Sequence, residues 1–279
     1  MITGVNDHRG VKGTLKVAVA FFGVPRNSAV CFPSIQAQIL GRLPADAQVQ
    51  CYYHLYQLER VHNPRSGESN ELAQQNYQPF ESMIGLVEQT DGVLERWSFE
   101  RIKASGDTWG DTFASMRNLI LQLNSLHTVT RLLAPFDPDF VIFVRPDIEY
   151  HDPLPSYIFE HSEMRRENVY IPDWQWWGGV NDRFAVCGSE SYKAYGERIE
   201  QIFPFCETTG RKLHSERLLK FALQRAGTKV HTMPTTGSRV RVNGAYANEV
   251  FSTRCCMGKR ENRFFHLLAR LRTWFDARK

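Results

Sequence analysis

One guanidinium and two carboxylates stand close together in Arg145-Pro146-Asp147-Ile148-Glu149, directly after the apolar run Phe140-Val141-Ile142-Phe143-Val144. A guanidinium grips phosphate through a planar fork of N–H donors, and carboxylates hold a hard divalent cation or a ribose hydroxyl. The same residues also suit a plain ion pair that ends a strand, because structural pairs cluster in the same way. Arg26, after Gly23-Val24-Pro25, is a second phosphate candidate, against the plainer reading of a solvated arginine in a turn. Glu216 stands in Leu213-His214-Ser215-Glu216, where an acid near a helix N-terminus stays ionised, as a base or only as a cap. In Asp173-Trp174-Gln175-Trp176-Trp177-Gly178-Gly179-Val180-Asn181-Asp182, three indoles adjoin a glycine pair and two acids. Indole faces match the C–H face of a sugar and glycine lets backbone approach a ligand, although buried tryptophan is equally ordinary as a plug between helices.

These groups need elements to hold them. The apolar run ending at Val144 reads as a strand buried on both faces, and in open α/β sheets ligands lie at the carboxyl ends of such strands. Further strands are expected over 16–22, 48–56, 93–99, 168–171, 183–187 and 229–232, with an edge strand over 239–242. A helix is expected over 33–43 with Pro33 in its opening turn, and others over 79–87, 189–203 and 213–224. The clearest helix is 111–134, where Phe113, Met116, Leu119, Ile120, Leu123, Leu126, Val129, Leu132 and Leu133 recur at three- and four-residue spacing. Asp111 is placed to cap it and Pro135 to stop it. Residues 58–78 have no sustained period and read as a long loop or short helices. Alternating strands and helices predict an α/β fold with a Rossmann-type, mostly parallel central sheet flanked by helices.

The chain has 279 residues, 42% hydrophobic and 23% charged, enough for one core over 1–258 followed by a tail, 259–279. A net charge of +4 suits an anionic ligand or membrane surface and falls short of a nucleic-acid signature. Six cysteines without a CxxC pair predict reduced thiols, with Cys255-Cys256 structural. The first residues lack the apolar core of a signal peptide and no run approaches the roughly 18 apolar residues of a membrane span, so a cytoplasmic protein is expected. The tail interleaves Phe264, Phe265, Leu267, Leu268, Leu271, Trp274 and Phe275 with arginines and lysines. That pattern predicts a basic amphipathic helix, either lying on the inner face of an anionic membrane or packing on the core.

The order of these pieces resembles the GT-A-type glycosyltransferases that use nucleotide-sugar donors. Residues 141–149 look like that group's strand ending in a DxD motif, with Arg145 where the first acid usually stands. Trp177-Gly178-Gly179 before Asn181-Asp182 is similar to its aromatic Gly-Gly-acid turn, and Ser215-Glu216 onward to its segment carrying the catalytic acid. The resemblance implies transfer of a sugar to a glycan or lipid-linked glycan, as in polysaccharide biosynthesis, with inversion and with Glu216 or Asp182 as base. It implies donor contacts at Gly23, Arg26, Arg145, Asp147 and Glu149, and acceptor contacts at Asp173, Trp174, Trp177, Gly178, Gly179 and His214. A divalent cation, Mn²⁺ or Mg²⁺, would fall to Asp147 with His231. Two rivals are a nucleotidyltransferase, for which Gly23-Val24-Pro25-Arg26 is too sparse a phosphate loop, and a noncatalytic sugar-binding protein on the same fold.

Overall fold

The structure, a computed structural model, describes residues 14–63, 66–160, 162 and 165–252. The predicted tail and Cys255-Cys256 lie outside the described residues. The chain opens with β1 (Lys16–Gly23), α1 (Ser28–Gln38) and β2 (Gln48–Tyr56), then a hairpin of β3 (Arg60–Asn63) and β4 (Glu68–Glu71). After β5 (Ile84–Glu88) come the short helices α2 (Val93–Arg96) and α3 (Phe99–Lys103), the long α4 (Ala114–Leu133), and β6 (Phe140–Val144) with β7 (Ile148–Tyr150). The second half holds β8 (Asn168–Pro172), β9 (Ala185–Gly188), α5 (Tyr192–Gly196), α6 (Ile202–Thr209), α7 (Ser215–Arg225), β10 (Lys229–Met233) and β11 (Gly237–Arg239).

A seven-stranded sheet in the order β10-β8-β9-β6-β1-β2-β5 forms the centre, and helices cover both faces. Only β9 runs against the rest: β1 is parallel to β2 and β6, β2 to β5, and β8 to β10. Val17, Val19 and Phe21 of β1 point to one face with Phe140, Ile142 and Val144, where they meet Cys31 and Ile35 of α1. Ala18, Ala20 and Phe22 point to the other, against Leu126, Val129 and Leu133 of α4 and Leu219 and Leu223 of α7. The period of two in each strand divides the core in this way, and every residue of β6 is buried. From β1 the chain builds outward through β2 to β5 on one side, then returns to β6 on the other. The order therefore reverses between β1 and β6, and the crevice outside their carboxyl ends is where such sheets place a ligand.

Several expected elements differ. The first helix starts at Ser28, so Pro33 sits inside it and removes one backbone bond without ending it. Residues 84–88 form the edge strand β5, where parallel pairing with β2 overrides the expected helix. Residues 93–103 are two short helices instead of a strand, interrupted at Ser98 with φ 53°. Helix 189–203 is broken into α5, a 3-10 turn and α6, and the loop 58–78 contains the β3–β4 hairpin. In place of the edge strand expected over 239–242, the strand β11 ends at Arg239 and pairs antiparallel with β7, and Val240 only bridges Tyr246. Among the described residues no helix is long and apolar enough to cross a membrane, and Cys31, Cys51, Cys187 and Cys206 are free thiols.

Candidate functional site

The β1–α1 turn and the end of β6 meet at the reversal point. Gly23 there has φ +103°, a conformation glycine adopts readily, and its N–H donates to Ser125 Oγ of α4 at 2.7 Å. That turn delivers Arg26, whose Nη1 donates to Asp147 Oδ2. Arg145 clasps the same carboxylate with a fork, Nε to Oδ1 at 2.9 Å and Nη2 to Oδ2 at 2.8 Å, and donates from Nη1 to Gln122 Oε1 at 2.8 Å. Asp147 is buried, which favours its neutral form, but Arg145 and Arg26 prevail and hold it well below the usual carboxylate range. The Arg145 guanidinium is raised in return, chiefly by Asp147 against its own burial.

The ion cluster continues into loops distant in sequence. Glu68, at the start of β4, lies 3.5 Å from Arg26 Nε and 3.4 Å from Arg241 Nη1, and accepts the Val242 N–H at 3.0 Å. Glu249 accepts from Arg183 at 2.8 Å and from Arg239 at 2.7 Å. Glu149 on β7 accepts the hydroxyl of Tyr246. Residues 239–251 thus cross the carboxyl edge, and with the β3–β4 hairpin they line an open polar cleft of about 260 Å³ formed by Ser66, Glu68, Arg241, Asn243, Tyr246 and Asn248.

A second cluster adjoins the first. Because β9 is antiparallel, the residues that precede it, Asp182 and Arg183, return to the same carboxyl edge. Gly178 and Gly179 turn the chain onto the N-terminus of α7, where a Cβ on Gly179 would stand 2.1 Å from the Glu216 carbonyl. Only glycine permits that approach. It brings the Trp177 N–H onto Glu216 Oε2 and the Val180 N–H onto the Glu216 carbonyl at 3.3 Å. Burial and the neighbouring Asp182 push the Glu216 carboxyl up to about 8. Burial would raise Asp182 as well, yet Arg198, Arg183, the Ser215 hydroxyl and Arg145 outweigh it and hold Asp182 below its ordinary value. Two interacting acids are thereby driven apart in charge state, and Arg145 links them to the Asp147 cluster.

The sequence candidates divide accordingly. Gly23, Arg26, Arg145, Asp147, Glu149, Asp182, Glu216, Trp177, Gly178 and Gly179 gather at one edge of the sheet. Asp173 follows β8 at that edge, half-buried, and His214 precedes α7, stacked on Trp109 at 5.9 Å between ring centroids. Trp174 is instead fully buried, with Nε1 bonded to the Thr235 carbonyl at 3.0 Å and Arg183 over its ring, so it is a core plug and meets no acceptor. Trp177, by contrast, leaves 43% of its surface exposed. His231 lies mid-strand on the outer strand β10, three strands from β6 and stacked on Tyr170. At about 4.8 Å per strand it stands some 14 Å or more from Asp147, too far to share one cation with it. Asp147 itself spends both oxygens on guanidinium donors, and among the described residues no group of three His, Cys, Asp or Glu could hold a metal ion. Residues present at the expected metal position do not fit a cation. Sequence reading missed Gln122, Glu68, Arg239, Arg241, Tyr246 and Glu249, which no local motif marks.

No family model and no curated relative matches the sequence. Among solved structures, the chain is similar to mouse xyloside xylosyltransferase 1 in its apo form, at 10% identity and a TM-score of 0.43, over 78% of this chain and 85% of that one. It is also similar to the glycosyltransferase GlyE of Streptococcus pneumoniae TIGR4, at 12% identity and a TM-score of 0.36, over 79% of this chain and 45% of that one. Both likenesses are distant, and function has to be read from the side chains themselves.

Proposed function

We propose that this chain is a glycosyltransferase that moves a sugar from a nucleotide-sugar donor to a hydroxyl of a glycan or lipid-linked glycan, with inversion. The observation that carries this reading is the Asp182–Glu216 pair beside a guanidinium cluster at the point where the strand order reverses. A base needs a pKa near the working pH, and Glu216, pushed up to about 8, has one while Asp182 stays ionised. Glu216 accepts the proton of the attacking acceptor hydroxyl as the new glycosidic bond forms. Arg26 and Arg145 stabilise the negative charge that develops on the departing diphosphate as the donor's own glycosidic bond breaks. Trp177 offers an exposed indole face for the acceptor sugar next to Glu216. The polar cleft between the hairpin and residues 241–248 suits the nucleoside end of the donor, since it opens beside Arg241 and Glu68. Residues 259–279, basic and amphipathic in sequence, suit attachment to an anionic bilayer that carries a lipid-linked acceptor.

The test is release of nucleoside phosphate from a panel of UDP-, GDP-, dTDP- and CMP-sugars, with candidate acceptors present. Wild-type protein is expected to turn over at least one donor and Glu216→Gln to turn over none at a comparable rate. A second reading, a noncatalytic sugar-binding protein on this fold, draws on the closure of Asp147 by two arginines. Donor binding without turnover of any donor by folded wild-type protein would establish that reading instead.

A further inference from the structure

We propose that guanidinium groups, not a divalent cation, neutralise the donor diphosphate in this chain, with Arg26 and Arg145 as those groups and Asp147 as the residue that positions them. This inference rests on the donor reading of the site. Its starting point is the acid that the DxD-like motif retains. Asp147 accepts three N–H donors, two from Arg145 and one from Arg26, so a cation approaching it would displace them and face two positive charges. The neighbouring acids are engaged as well: Glu149 by the Tyr246 hydroxyl, Glu68 by the Val242 N–H and by Arg241.

What the site holds in place of free carboxylates is a cluster of guanidinium groups, each paired with an acid. Arg239 adds to the field that depresses Asp147, and Arg241 is lowered by burial and by Arg239 and Arg26, against the pull of Glu68. Arg239 and Arg26 thus repel Arg241 across this edge, and an incoming anion relieves that repulsion. Arg26 Nε is buried without a hydrogen bond in the turn after β1, held only by the long ion pair to Glu68 at 3.5 Å. The fork from Asp147 fixes the plane of Arg145, and Gln122 holds its remaining arm. Asp147 therefore works through the arginines, and a rigid guanidinium pair loses less freedom on meeting phosphate than two free side chains would.

The test is calorimetric titration of the full chain with inorganic pyrophosphate and with UDP, GDP, CDP and ADP, in excess EDTA and again in excess MnCl₂. At least one nucleoside diphosphate is expected to bind in EDTA, with an affinity within about twofold of that in MnCl₂ once metal–ligand complexation is subtracted. Arg26→Ala and Arg145→Ala are each expected to weaken it by about tenfold or more, the value of a charge-assisted hydrogen bond. Arg145→Lys, which keeps the charge and loses the fork, gives a folded intermediate case if Arg145→Ala does not fold. Asp147→Asn retains an acceptor for Arg145 and is expected to keep binding within roughly threefold in EDTA and in MnCl₂ alike, whereas loss of a metal ligand would remove the binding seen in MnCl₂. Binding that needs MnCl₂ overturns the proposal, as does EDTA-resistant binding that none of the arginine substitutions alters. Absence of binding by folded protein under both conditions overturns the donor reading itself, a separate outcome.

Discussion

Glu216 keeps its proton to about pH 8 because the fold buries it beside the ionised Asp182. Transfer is therefore expected to rise with pH through about 8, and Glu216→Gln to lose roughly 10²–10⁴-fold in turnover with donor affinity nearly unchanged. A flat pH–rate profile would remove Glu216 from the role of base. The same carboxyl makes a stability prediction of definite sign. The folded chain holds a proton that the unfolded chain has released between the ordinary value of 4.5 and about 8, so this contribution is full below 4.5 and is lost as pH rises through 8. Glu216→Gln should thus raise stability in alkaline buffer, by about 1 kcal/mol or more near pH 9, as read from urea unfolding. Asp147 has the opposite sign: its depressed carboxyl stabilises at neutral pH and the contribution fades as pH falls into the acid range. Asp147→Ala strands Arg145 and Arg26 and is expected to cost about 3–5 kcal/mol, so loss of activity in that variant says little without Asp147→Asn beside it.

At the scale of elements, two contacts aim the site. The turn 177–179 lies on the first residues of α7, and the gap left for a Cβ at Gly179 is 2.1 Å. Gly179→Ala should push that turn away, cost about 1–3 kcal/mol and release the Trp177 N–H from Glu216. With that hydrogen bond to the charged form gone, the apparent pKa of transfer should move further up, and an unmoved profile would show that the turn does not govern Glu216. The second contact joins α4 to the sheet. Ser125 Oγ accepts the Gly23 N–H at 2.7 Å and donates to the His54 carbonyl at 2.7 Å, while His54 Nε2 sits 3.1 Å from Glu88. Ser125→Ala leaves the Gly23 amide unpaired next to the Arg26 turn. About 1–3 kcal/mol of destabilisation is expected, together with weaker binding of nucleoside diphosphate. Stability loss with unaltered binding would confine Ser125 to the core.

For the whole molecule, the mild excess of positive charge gathers in sequence at the tail, 259–279. About 1 kcal/mol per basic side chain near an anionic surface is enough for loose attachment, so the full chain should sediment with anionic vesicles and a chain ending at Gly258 should not. Equal sedimentation of the two forms would leave the tail without that role. Much of the architecture was legible from local pattern. The uninterrupted apolar run 140–144 marked a buried strand, the three- and four-residue spacing in 114–133 marked α4, and charge directly after Val144 marked the edge where chemistry belongs. Side-chain period and burial are local properties, and so sequence alone determined them. Whether 84–88 became helix or strand depended on β2 lying alongside, which no local propensity contains. The same holds for the site. Sequence named Arg145, Asp147 and Glu216, but only the packed fold decided that Asp147 would be spent on two arginines, that Trp174 would be a plug and Trp177 a surface, and that His231 would stand three strands away. Glu68 and Arg241 are 173 residues apart, and their charge states, like that of Glu216, are set by burial and by neighbours that chain folding alone brings within reach.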